Sequence, residues 1–313
     1  MLEQIFTVGF LTAFFSAAVR MAVPLAYAGL GETISEKSGI LNIGMEGVML
    51  SGAFFSFAGT FFSGSILIGL LCGMAGGAAV SMIHGVLSIK LSKDQSVSGI
   101  AINIFVMGVT SFLYKLMSGG QSYQQIEPLS RIRIPFLADI PLIGNALFYQ
   151  DILTYVMYFL VLAVSWFYKR TNKGLSFAAI GENSRSADSA GIPVHKYQYI
   201  SMILNGVLGG MGGAYLVLVQ VGNFSENMTS GRGYIALAAV ILGRYVPAGM
   251  LAAAFLFGSA NALQIRLQAI GVPLPSQALS MLPYLITLAA LMGSIGKNHA
   301  PEGLGKPYVR GAR

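Results

Sequence analysis

Charge is scarce in this sequence. Asp, Glu, Lys and Arg make up 10% of its 313 residues, against roughly 25% in a soluble domain whose surface water must wet. That shortage excludes a soluble enzyme. Cysteine is reduced to Cys72, so no internal disulfide can form and no thiolate set for zinc can assemble. The three histidines, His84, His195 and His299, stand far apart. No Gly-rich loop ends in Gly-Lys-Ser or Gly-Lys-Thr, so the chain is not expected to hydrolyse ATP itself, and no cofactor or metal is expected. The net charge of +7 and the pI near 9.5 come without a basic groove interleaved with aromatics, which speaks against nucleic acid as a partner.

Apolar residues are abundant instead, at 55% with a mean hydropathy of +0.69. The reading is an all-α integral membrane protein, a polytopic bundle surrounded by lipid. A spanning helix needs about 20 mostly apolar residues. Nine stretches qualify or nearly so: Ile5 to Leu30, Met45 to Phe62, Ser65 to Ile89, Val97 to Met117, Phe148 to Tyr168, Ile200 to Val219, Gly233 to Leu242, Val246 to Leu267 and Ala278 to Gly296. The expected range is eight to ten spans. Arg20 interrupts the first stretch and the Gly233 segment is short, so broken or tilted helices are expected there. The first residues lack Lys and Arg, which favours a retained first span over a signal peptide.

Lys and Arg concentrate on the cytoplasmic side of membrane proteins. Here one side collects Lys37, Lys90, Lys93, Lys169, Arg170, Lys173, Arg185, Lys196, Arg244, Lys297, Lys306, Arg310 and Arg313, while the other holds Lys115, Arg131, Arg133, Arg232 and Arg266. The loop at 169–197 and the C-terminus are therefore expected in the cytoplasm and the N-terminus outside. Residues 118–145, with Pro128, Pro135 and Pro141, are expected to form an irregular extracytoplasmic loop. The whole of 1–313 reads as one transmembrane domain, so soluble chemistry must come from partners.

Two lead-ins to apolar segments echo each other. Glu32 to Met49 contains Ser38-Gly39, and Glu226 to Ile241 contains Ser230-Gly231. Paired interruptions of this kind flank binding sites in transporters built from repeats, although abundant glycine alone could produce the likeness. In the first, Asn42 and Glu46 are four residues apart and share a helix face. A carboxylate at the mouth of a span is costly unless paired, hydrated or used. It either lines or gates a path or sits at the N-terminal dipole of the next helix. Asn103, Asn205, Asn261 and Gln264 fall inside spans, where they either bond neighbouring helices or line a path. The pairs Gly69/Gly73, Gly73/Gly77, Gly206/Gly210 and Gly209/Gly213 let helices approach closely.

In the cytoplasmic loop, Asn183 is placed to cap a helix of about two turns that Gly191 and Pro193 end. Ala187 and Ala190 would give that helix a smooth face, with Glu182, Arg185 and Asp188 as rim charges. It either docks in a partner's groove or is a solvated loop helix.

The runs Gly31 to Leu50 and Ala179 to Gly191 resemble the permease subunits of ABC importers in the branched-chain amino acid and ribose permease superfamily. Ser38-Gly39-Ile40-Leu41-Asn42-Ile43-Gly44-Met45-Glu46-Gly47 is most similar to its nucleoside-type branch. Gly231 to Ala238, Met281 to Leu285 and Gly303 to Tyr308 are similar to it as well. The likeness runs from about Arg20 to Arg310 and fades across Ser118 to Asn145.

The resemblance implies a fold like that of type II ABC importers, with discontinuous helices. It also implies a bacterial cell-membrane permease, not an enzyme, that works beside a second permease subunit. A cytoplasmic ABC ATPase would drive it and an extracytoplasmic binding protein would deliver solute, which moves by alternating access. It makes Gly181, Glu182, Asn183, Arg185, Ala187, Asp188, Ala190 and Gly191 the ATPase-coupling residues, though Ala187 to Gly191 departs from the wider Glu-Ala-Ala-x-x-x-Gly pattern. Asn42, Glu46, Asn103 and Asn205 become the expected translocation path.

Nucleosides are the expected solute, with a simple sugar or a branched-chain amino acid as alternatives. A stand-alone secondary transporter would need more intramembrane carboxylates or histidines than Glu46 and its few companions. An intramembrane serine protease would have only Ser259 and His84 to work with.

Overall fold

Among the residues that the computed structural model describes, seven helices are long and apolar enough to cross a membrane. The structure describes residues 7–119, 125–140, 144–271, 275–293 and 300–309. Ile5, Pro141, the last expected span beyond Gly293, His299, Lys297, Arg310 and Arg313 lie outside these residues.

In chain order the helices are α1 (Val8–Glu36), α2 (Met45–Ser63), α3 (Ile66–Gly85, continued by a wider turn Val86–Lys90) and α4 (Gln95–Ser118). A short strand pair follows, β1 (Ile132–Arg133) against β2 (Tyr149–Gln150), with the one-turn α5 (Gly144–Phe148) between them. Then come α6 (Ile152–Arg170), α7 (Asn172–Glu182), α8 (Ser184–Ser189) and α9 (Val194–Tyr215, continued by the wider turn Leu216–Val221). The half-length α10 (Arg232–Leu242), α11 (Pro247–Ala269), α12 (Ser276–Ser280) and α13 (Leu282–Gly293) complete the chain.

The buried core forms around α1 and α9. Val23, Tyr27, Leu30, Tyr215, Val240 and Phe257 meet in one apolar cluster. A second cluster joins α2 to α4 and α9, and Phe54, Phe57, Tyr114 and Phe224 meet there edge to face. Outward-facing Leu67, Leu71, Ile104, Phe105, Phe159, Leu162 and Trp166 are exposed; lipid covers such faces without cost, whereas water would not. Helix α9 crosses α3 through the expected small residues: a Cβ on Gly77 would collide with the Gly206 carbonyl. Close backbone approach of this kind replaces the hydrophobic drive that lipid removes.

The first span corrects its expectation. Helix α1 runs unbroken through Arg20 and Pro24 and ends at Glu36 rather than Leu30. Arginine is itself a good helix former. The Arg20 carbonyl accepts from Gln220 Nε2 at 2.8 Å. The extra turns persist because Glu32, Thr33 and Ser35 find partners inside the bundle. Helix α6 starts at Ile152, later than expected, because the Asp151 carboxylate caps it by accepting from Thr154 N at 2.9 Å.

Lys37, Lys90, Lys93, Lys169, Arg170 and Lys173 lie at or beside the helix termini of one end of the bundle. There the tail residues 300–306 lie against the end of α1 and the end of α7. The opposite end carries the Lys115–Glu226 ion pair at 3.3 Å and the strand pair.

Candidate functional site

Between α1 and α2 the N–H groups of Lys37 to Ile40 close onto the last turn of α1, whereas those of Leu41 and Asn42 have no helical partner. Non-helical backbone inside a membrane protein must find partners from the surrounding protein. It finds them in side chains of four helices. Glu32 Oε1 accepts from Asn42 N at 2.7 Å, Gln95 Oε1 accepts from Leu41 N at 2.8 Å, and His84 Nε2 lies 3.1 Å from the Leu41 carbonyl. Glu32 Oε2 accepts from Asn205 Nδ2 at 2.7 Å, and Asn42 Nδ2 donates to Asn205 Oδ1 at 2.7 Å. Ser81 donates to the same Asn205 oxygen at 3.0 Å, and Ser38 meets Ser201 at 2.6 Å.

Asn42 and Asn205 are thus fully buried and committed to each other. They were expected to line a path; in this conformation they fasten the segment to α9 instead. Glu32 is the residue that sequence reasoning passed over. The cost of an intramembrane carboxylate, applied to Glu46, applied equally to it.

Glu46 sits where the two echoing lead-ins meet. Its Oε1 accepts from Gly231 N and its Oε2 from Gly233 N, each at 2.7 Å. These groups stand at the start of α10, where unpaired N–H groups and the helix dipole favour an anion. Gly233 is required for the contact, because a Cβ there would lie 2.5 Å from Glu46 Cα. The dipole that Glu46 meets is therefore that of α10, where the expectation named the helix that Glu46 itself opens.

Asn103 completes the junction. Its Oδ1 accepts from Gly47 N at 2.7 Å, while its Nδ2 donates to the Ile43 carbonyl at 2.9 Å and to Tyr234 Oη at 2.8 Å. Beside this junction opens a cavity of about 240 Å³ lined by Glu46, Asn103, Asn227, Ser230 and Tyr234 together with apolar groups from α2 and α4. Glu46 and Asn103 therefore face a space large enough for a small solute.

At the basic end, α7 and α8 form two helices where one short helix was expected. Asn183 caps α8 as anticipated, accepting from Ser186 N at 3.0 Å, and Gly191 ends the loop with φ +83°. The anticipated smooth face is corrected. Ala187 is buried against Ile180 and Val194, so it anchors α8 to its own chain. Glu182, Asn183, Arg185, Ser186, Ser189, Ala190 and Gly191 are exposed, with Asp188 half-buried.

Gly181 is buried as well, and a Cβ there would lie 2.5 Å from the Lys37 carbonyl oxygen. The tail ties the same parts together: Gly303 N donates to the Gly181 carbonyl at 2.8 Å and Gly305 N to the Gly39 carbonyl at 3.1 Å. Lys37 stands over the Tyr168 ring at 5.4 Å. Burial pushes its ammonium below the ordinary lysine value, an effect the Glu182 carboxylate partly offsets.

Asn261 and Gln264 lie apart from both places, on α11. Asn261 Nδ2 donates to the Phe257 carbonyl at 3.2 Å and Gln264 Nε2 to Ser280 Oγ at 3.4 Å. Ser259 and His84 belong to different helices, and His84 is held by Leu41 and Ser88.

Comparison with known proteins places this geometry. Residues 14–291 match the family described as the permease component of the branched-chain amino acid transport system. The chain is 38% identical over 307 residues to the guanosine ABC transporter permease protein NupQ of Bacillus subtilis, covering 95% of this chain and 96% of the relative. It is 34% identical to the nucleoside ABC transporter permease protein NupC of Lactococcus lactis, covering 92% and 94% of the two chains. It is also 34% identical to TsgC13 of Haloferax volcanii, provisionally assigned as a glucose ABC transporter permease, with coverage of 96% and 98%. Among solved structures, an inward-facing ABC transporter of metal-chelate type superposes with a TM-score of 0.52 at 15% identity, over 94% of this chain and 90% of that one. That likeness speaks to the fold alone.

Proposed function

The chain belongs to the permease-component family of branched-chain amino acid transport systems, and we propose that it carries nucleosides inward across a bacterial cell membrane by alternating access. It is a multi-pass membrane permease of an ABC importer and not an enzyme. The observation that carries the transport reading is the Glu46 carboxylate, shared between the start of α2 and the N–H groups opening α10, beside a cavity. A polar centre at which helix starts meet, one of them that of the half-length α10, is the arrangement in which transporters hold and release solute.

The basic end faces the cytoplasm, as the lysine and arginine distribution requires. An ATPase subunit docks on the exposed rim of α7 and α8, at Glu182, Asn183, Arg185, Asp188 and Ala190. Its closure pushes Gly181 against the Lys37 carbonyl and so moves the end of α1. The Glu32–Asn42–Asn205 contacts carry that movement to α9, and the Lys37–Gly44 segment carries it to Glu46. Opening the path then requires Glu46 to release Gly231 and Gly233. Ala187 and Gly181 serve as internal anchors in this scheme. A second permease covers part of the apolar surface, lipid covers the rest, and a binding protein delivers solute on the side of the Lys115–Glu226 pair.

Nucleosides are favoured because NupQ and NupC carry nucleoside descriptions; the TsgC13 likeness makes a simple sugar the second reading. The test is uptake by proteoliposomes containing the complete importer. Guanosine should accumulate only with ATP and the binding protein, and glucose should not compete. Uphill accumulation by this subunit alone, or uptake of glucose but not guanosine, overturns the proposal.

A further inference from the structure

We propose that a second cavity, between α10, α11 and the α12–α13 pair, is a separate solute station for an uncharged, hydroxylated ring compound of the nucleoside class, divided from the Glu46 cavity by the turn at 227–231. The inference rests on the permease reading above. The cavity holds about 260 Å³, just under the range of ordinary small-molecule pockets. It suits a small polar solute. Ser230 lines both cavities, so the turn that carries it is the wall between them.

The lining is built for a neutral polar ring. Phe257, Asn261 and Gln264 recur at helical spacing on one face of α11. Along that stripe exposure increases from buried Phe257 through half-buried Asn261 and Gln264 to exposed Gln268. The cleft therefore opens toward the end of α11, the side on which a binding protein would deliver its load.

Asn261 and Gln264 each spend an amide N–H on the protein. Their amide oxygens make no hydrogen bond among the described residues, so both can accept from a hydroxyl or a ring N–H. Thr287 Oγ1 donates to the Pro283 carbonyl at 2.7 Å and keeps acceptor capacity toward the cavity, and Phe257 supplies an aromatic surface for a flat ring. Among the described residues no carboxylate lines the cavity, whereas Arg232 does, which disfavours a cationic solute. Arg232 is itself tied to the carbonyls of Met228 and Thr229 at 3.0 and 3.1 Å, so it does not offer the open cluster of donors that a phosphate needs.

The wall itself is strained and pinned. Asn227, Ser230 and Gly231 have φ of +54°, +46° and +84°, and such angles are uncommon away from glycine and persist where the surroundings impose them. Here the surroundings are Arg232 on one side and Glu46, holding Gly231 N and Gly233 N, on the other. Passage between the two cavities requires this turn to shift, and the same shift breaks the Glu46 contacts.

The test uses the complete importer in proteoliposomes with Cys72 replaced by serine, which leaves no other thiol in this subunit. Ile235→Cys, at an apolar lining position that makes no polar contact in the proposal, is labelled from outside with a membrane-impermeant maleimide, and Ser63→Cys serves as a control position. At guanosine about ten times its dissociation constant, labelling at 235 should slow about tenfold while position 63 is unaffected. Unchanged labelling at 235, in an importer that still takes up guanosine, overturns the second station and leaves the transport reading standing. Failure of the unmodified importer to take up guanosine overturns the transport reading first, and the station with it.

Discussion

Gly181 and Lys37 touch through backbone, with room for no side chain between them: a Cβ on Gly181 would lie 2.5 Å from the Lys37 carbonyl oxygen. The end of α7 thus bears directly on the end of α1, and a contact without flexible atoms transmits displacement rather than absorbing it. Gly181→Val should push the two apart at an overpacking cost of about 1–3 kcal/mol. Transport per ATP hydrolysed should fall about tenfold, since about 1.4 kcal/mol corresponds to one decade, while the ATPase still co-purifies. The ratio of uptake to hydrolysis in proteoliposomes measures this; an unchanged ratio refutes the role given to the contact.

Glu46→Gln keeps the shape of the side chain but replaces one acceptor oxygen with a donor facing an N–H group. Each lost charge-assisted hydrogen bond is worth about 1.5–3 kcal/mol. Guanosine uptake should drop at least about tenfold, and the solubilised protein should melt earlier. Gly233→Ala should do the same by collision rather than by chemistry. Wild-type uptake in both variants, at equal amounts in the membrane, would count against Glu46 as the hinge of the path.

The Glu32–Asn205 contact lends itself to a double-mutant cycle. Removing one partner leaves the other buried and unsatisfied, so Glu32→Gln and Asn205→Ala should each destabilise the protein. The double variant should lose less than the sum, with a coupling of about 0.5–3 kcal/mol. Thermal unfolding in detergent reads it, and strict additivity would show that the two residues do not act as a unit.

Lys37 gives a prediction in pH. Burial holds its ammonium below the ordinary value, so the folded state is penalised while the group is charged. The penalty is fully present below the lowered value and fades as pH rises from there toward the ordinary lysine value of about 10.4. Over that window this residue's contribution to stability should increase with pH. Lys37→Met should remove the rise and stabilise the protein on the acidic side; melting curves across the alkaline range compare the two slopes.

Much of the fold was legible in the sequence because helix length and hydropathy respond to the bilayer itself. Eight of the nine apolar stretches each correspond to one helix, including the short one at Arg232–Leu242, while the ninth is divided between α12 and α13. The Asn183 cap and the close crossing of α3 with α9 were legible for the same local reason, a side chain or a spacing that acts on its own neighbourhood. Arg20 misled because a charge in an apolar run looks like a break, yet arginine is a good helix former and α1 runs through it. The paired roles of Asn42 and Asn205 were not legible. Both residue types suit a water-lined path, and only their burial against Glu32 assigns them to a fastening.

The sequence by itself determined that this chain lives in a membrane, how many segments approach that membrane, which loops carry the positive charge, and where glycine would permit close packing. Those properties are sums over neighbouring residues. Only the tertiary structure decided that Glu46 ends on Gly231, 185 residues away, that Ala187 turns inward, and that Gly181 rests on Lys37. The preferences of an isolated carboxylate or methyl group are met equally well by many partners, and chain packing selects one of them.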